Sequence, residues 1–157
     1  MEFKQIEPVE DMAEVIQDVF GVKLDISGGW GYDHKKPVIV NNLDIPIDQF
    51  LTLFATIRAN IEMNLTLEEH ERYGGINVHF LDGEQFTIEN KTYDHITFEI
   101  TAMKEQEYAE VIQEYKDNYG KNANFDLDAH FNKRKELTLK VVADFWFEGL
   151  EEYYHDE

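Results

Sequence analysis

Apolar residues recur along the chain with two different periods, and the changes of period mark its elements. Val9, Met12, Ala13, Ile16, Val19 and Phe20 fall at helical spacing between Pro8, suited to a first turn, and Gly21, suited to a left-handed stop. They predict a first amphipathic helix. Val22, Leu24 and Ile26 then alternate, and the run 38–40 follows a glycine-rich connection, so the two segments predict a hairpin with a long loop. From Pro46 the helical period returns through Ile47, Phe50, Leu51, Phe54, Ile57 and Ile61, with Leu53 and Met63 widening the stripe into that of a central core helix. Thr66 followed by Glu69 has the form of a capping box and predicts one more short helix before Gly74.

The period changes to two over residues 76–81, 85–89 and 93–100, with turn chemistry at Asp82-Gly83 and near Asn90-Lys91. That pattern predicts a three-stranded meander. Tyr108, Val111, Ile112, Tyr115 and Tyr119 restore helical spacing up to Gly120, and residues 123–131 and 136–147 read as two further strands. Helices are too sparse between strands for repeated βαβ crossovers. The expected fold is therefore α+β: one domain over residues 1–157, a mainly antiparallel sheet of about six to seven strands, and three main helices packed on one face. The acidic tail 148–157 is expected to fray.

The stretch Asn122–Asn132 alternates most regularly. As a strand it sends Ala123, Phe125, Leu127, Ala129 and Phe131 to one face and Asn122, Asn124, Asp126, Asp128, His130 and Asn132 to the other. A competing helix uses Asn124 or Asp126 as its N-cap and pairs Leu127 with Phe131; the length of the alternation favours the strand. Same-face residues on a strand lie about 6.5 to 7 Å apart, so Asp126, Asp128 and His130 reach a common ion only through a bulge or with help from His79 or His95. The run also lacks the central glycine and late glutamate of a calcium loop.

Composition narrows the chemistry. The chain of 157 residues carries 33 acids against 14 bases, a formal charge of -19, and 43% of it is hydrophobic, so it can bury a core while repelling nucleic acid and anionic membrane. Mean hydropathy is -0.50 and no apolar run approaches the length of a membrane span. The start lacks a cationic segment followed by an apolar one, which makes the cytoplasm the expected location and the N-x-T sequons at Asn64 and Asn90 chance occurrences. With no cysteine there is neither a disulfide nor a thiolate nucleophile, and the one serine, Ser27, lies outside any nucleophile elbow. His70 lacks the second histidine of a zinc-protease helix, since position 74 is glycine. Adjacent acid and histidine pairs, such as Asp33-His34 and Asp94-His95, point to opposite faces when extended and so form no dyad.

Two segments concentrate recognition chemistry. In the loop 27–34, three glycines surround Trp30 and Tyr32 and precede Asp33 and His34; the glycines suit a bulged loop with Trp30 folded onto the core, and the aromatics suit a recognition loop. The loop lacks the spacing of a phosphate-binding motif. The tail 144–157 mixes five aromatics, Tyr153 and Tyr154 among them, with six acids and no Lys or Arg. The expected function is a non-enzymatic binding or regulatory module for a basic protein, immunity-like or inhibitor-like, using Trp30, Tyr32, Asp33, His34, Tyr153 and Tyr154, with no cofactor. The alternative is a small-molecule- or metal-dependent enzyme with a site between sheet and helices, drawn from His79, His95, Asp126, Asp128 and His130.

Overall fold

The computed structural model describes residues 4–151 and 153. Elements follow in the order α1 (Met12–Phe20), β1 (Asp25–Gly28), β2 (Val38–Asn42), α2 (Ile47–Asn60), β3 (Tyr73–Ile88), β4 (Lys91–Lys104), α3 (Glu105–Asn118), α4 (Leu127–Leu137) and β5 (Leu139–Glu148). The α+β class is as expected, but among the described residues the sheet has five strands, not six or seven, and there are four α-helices. Its order is β1-β2-β5-β4-β3, with β2 parallel to β5 and the other neighbours antiparallel. The sheet is therefore mixed.

The expected meander is one long hairpin. Asp82-Gly83 makes no turn: β3 bulges between Phe80 and Asp82 and goes on pairing with β4 as far as Ile88↔Lys91. The reversal falls at Glu89 and Asn90, both at positive φ, as a two-residue hairpin turn requires. Two neighbouring expectations also shift. Pro8 precedes α1, which starts after Asp11, whose carboxylate accepts the Glu14 N–H. Thr66 caps no following helix; its hydroxyl donates to the Ile61 carbonyl at 2.8 Å and closes a π-helical turn, Ile61–Leu65, that extends α2. The short helix is a single 3₁₀ turn, Glu69–Glu71.

The alternating stretch is the larger correction. Residues 122–125 form a turn closed by the Phe125 N–H on the Asn122 carbonyl at 3.2 Å, and Asp126 starts α4 by accepting the Ala129 N–H at 3.0 Å. The cap satisfies a first-turn amide that a strand would have to pair elsewhere. The helix turns His130, not Phe131, inward: His130 is 2% exposed and Phe131 46%. The His130 ring packs between Tyr115 and Phe125, and its Nδ1 lies 3.0 Å from Glu114 Oε1 on α3. Lys133 reaches the other oxygen of the same carboxylate at 3.3 Å. Hydrogen bonding from His130, then from Lys133, holds the Glu114 carboxyl below its ordinary range.

The core lies between the sheet and α2. Phe50 and Phe54 of α2 meet Phe145 and Phe147 of β5 in edge-to-face contacts, with Phe98 of β4 alongside. Arg58 stands on the same helical stripe and is 2% exposed. Its guanidinium lies between the Phe145 ring at 3.6 Å and the Tyr32 ring at 4.4 Å, and donates to the carbonyls of Trp30 and Asp144 at 3.2 and 2.8 Å. Glu62 Oε2, one turn along, is 3.6 Å from Arg58 Nε and accepts the Tyr32 hydroxyl at 2.8 Å. Burial pushes the Arg58 guanidinium down and the Glu62 carboxyl up, and each group's charge opposes the other's shift.

Two predictions follow from these contacts. Arg58→Met strands a buried carboxylate and two carbonyls, so denaturant unfolding should show a loss of about 3 to 5 kcal/mol, part of which Glu62→Met in the same chain restores. Because Glu114 titrates lower in the folded state, the clasp contributes fully above the ordinary carboxylate value of 4.5 and is lost as pH falls below it. Glu114→Gln should therefore be less stable than wild type at pH 7, with the gap closing in melts repeated on progressive acidification; a gap that stays constant would contradict the clasp.

Candidate binding surface on the open face of the sheet

Side chains that face away from α2 on β3, β4 and β5 form a partly open surface whose rows are set by strand register. Opposed residues share a face. The rows run Phe86–Tyr93–Glu148, Glu84–His95–Trp146, Asp82–Thr97–Asp144 and His79–Glu99–Val142. Across them lie five carboxylates: Asp82, Glu84, Glu99, Asp144 and Glu148.

An aromatic group occupies the middle. His95 stacks on Trp146 with ring centroids 4.5 Å apart, and Phe86 lies 5.5 Å from the same indole. His34, carried by the glycine loop, packs edge-on against Trp146 and Tyr93. Asp144 Oδ1 is 3.0 Å from His95 Nε2 and accepts the Thr97 hydroxyl at 3.4 Å. Lys91 lies 3.8 Å from Glu148. No cation pairs with Asp82, Glu84 or Glu99 among the described residues. Their charge is therefore available to a partner.

The surface ends at an edge strand. β3 is an edge of the sheet and contains no Lys, Arg or Pro, the residues that commonly protect such edges. Its distal half is exposed on both faces, with Phe80 58% and Leu81 50% exposed. Val142 on β5 is 65% exposed. Apolar patches rimmed by charge and beside a free edge are suited to protein contact.

The residues singled out from the sequence scatter. His34 and His95 join the aromatic group, and His79 lies on the same face, with its row about 13 Å along β4 from that of His95. Trp30 is 3% exposed, tilted against Phe54, and belongs to the core. Tyr32 is half-buried beside Arg58 and Glu62, with burial and the Glu62 carboxylate pushing its phenol up. Asp33 stabilises its own loop by accepting the N–H groups of Lys35 and Lys36. Tyr153 packs partly against the core and donates to the Asn41 carbonyl at 3.4 Å, near the fully buried Leu150; Tyr154 lies outside the described residues.

Asp126 is occupied as a helix cap, Asp128 is exposed in the first turn of α4, and His130 is buried against Glu114. They do not share a site with His79 and His95. Among the described residues no group of three or more His, Cys, Asp or Glu side chains is placed to hold a metal ion, and no helix is long and apolar enough to cross a membrane. Phe86, Asp144 and Val142 were not legible as surface residues, because the signal is their cross-strand register. No family model matches the chain, and neither does any curated protein or solved structure.

Trp146→Ala should leave the fold in place, because the indole stacks on the surface side of β5. The expected cost is about 1 to 2 kcal/mol in denaturant unfolding, against about 3 to 5 kcal/mol for core Phe145→Ala.

Proposed function

We propose that the protein is a non-enzymatic binding module that takes a basic protein partner on the open face of its sheet and along the edge of β3. One observation carries this reading: three carboxylates that have no cation among the described residues lie beside exposed aromatic and aliphatic side chains near an edge strand without Lys, Arg or Pro. A basic extended segment can add its backbone to the edge while its cationic side chains meet Asp82 and Glu84. A second copy of the chain is a poor occupant, since two molecules of charge -19 repel. Acidic groups would speed encounter, and burial of Phe86, Trp146 and Val142 would set residence. An immunity-like or inhibitor-like role is one concrete form.

The test compares wild type with Asp82→Lys/Glu84→Lys in pull-downs from source lysate at low and moderate salt, followed by titration of the partner recovered. A stoichiometric basic partner should be held by wild type, weaken as salt rises, and bind the charge-reversed protein about tenfold or more weakly at equal thermal stability. No such partner at either salt, or one held equally by both proteins, would overturn the reading.

A further inference from the structure

We infer that a cavity between the N-terminal segment and the glycine loop binds a small organic anion with a flat apolar body, of the aryl carboxylate or aryl sulfonate class. The cavity has a volume of about 630 Å³, within the range of ordinary small-molecule sites. It is on a different part of the molecule from the acidic surface and does not depend on that reading.

Charge is the first argument. The whole chain has 33 acids against 14 bases, whereas among the described residues the cavity is lined by Lys4, Lys35 and Lys36 against the single acid Glu7. The local balance is thus the reverse of the global one, and an anion entering here meets a net positive lining. Lys35 and Lys36 leave a turn whose backbone is fixed by Asp33 Oδ1, at 2.8 and 3.0 Å from the two amide nitrogens. Glu7 lies 3.9 Å from Lys4, leaving the other two lysines without a carboxylate partner among the described residues.

The second argument is the wall. Tyr32, Pro37 and Ile39 supply apolar surface and a ring for a flat ligand, and Trp30, only 3% exposed, backs the same wall. Both sides are tied together before any ligand arrives: the Trp30 indole N–H donates to the Glu7 carbonyl at 3.3 Å, and the Ile6 N–H donates to the Tyr32 hydroxyl at 2.9 Å. Gly29 lets the floor close, since a Cβ there would lie 2.7 Å from the Lys36 carbonyl. A preformed apolar cavity loses little ordering entropy on binding, and the lysine rim then selects for negative charge.

The probes are the anionic 8-anilinonaphthalene-1-sulfonate and its uncharged relative N-phenyl-1-naphthylamine, titrated by fluorescence into wild type and Lys35→Ala/Lys36→Ala. Wild type should bind the sulfonate saturably at one site, and the uncharged probe about tenfold or more weakly. The double variant should lose about tenfold for the sulfonate alone, with circular dichroism and thermal unfolding unchanged. Absence of saturable sulfonate binding, equal affinity for both probes, or sulfonate binding indifferent to the lysines would each overturn the inference; the last would place the dye on the exposed apolar patch of β3 and β5 instead.

Discussion

A single buried cation joins the parts of this acidic protein. Arg58 is carried by α2, yet its guanidinium is divided between the glycine loop, through the Trp30 carbonyl, and β5, through the Asp144 carbonyl. Removing a guanidinium from water costs several kcal/mol, and the cost is offset only because two carbonyls, the Glu62 carboxylate and two aromatic faces surround it. Those partners come from segments far apart in sequence. The charge is therefore tolerable in one arrangement of loop, helix and strand, which makes Arg58 a device for specificity as well as cohesion.

Both proposed binding regions depend on that arrangement. β5 turns Phe145 and Phe147 to the core and presents Asp144 and Trp146 on the opposite side. The loop lies against it, with the Trp146 N–H donating to the Gly31 carbonyl at 2.8 Å. A Cβ at Gly31, already at φ 84°, would lie 2.9 Å from the Trp146 carbonyl. This close approach sets His34 over the indole on one side and leaves Trp30 and Tyr32 to line the cavity on the other. The glycines thus serve both regions by permitting close packing.

Charge is also partitioned. Acidic side chains occupy the rows of the sheet face, and lysines from the loop and the N-terminal segment collect at the cavity rim. Over a Debye length of about 8 Å at physiological salt, each ligand senses chiefly the local set. A net charge of -19 can therefore coexist with an anion-attracting cavity.

Local periodicity located α1, α2 and α3 and placed strands near β1, β2 and β5, but only roughly: Val19 and Tyr119 of the expected stripes are exposed, β1 starts at Asp25 and not at Val22, and β5 starts at Leu139. It misread Asp82-Gly83 as a turn, since whether such a pair reverses the chain or bulges depends on how far the partner strand continues. It also favoured a strand over Asn122–Asn132, where the Asp126 cap and the reach of His130 to Glu114 decide for a helix. Arg58, seven residues after Leu51 and four after Phe54, stood on the apolar stripe as a visible misfit, but its partners were not visible. The parallel pairing of β2 with β5, the acidic rows and the lysine rim were decided by tertiary structure. Each joins residues distant in sequence, and local spacing carries no information about which distant backbone will be beside it.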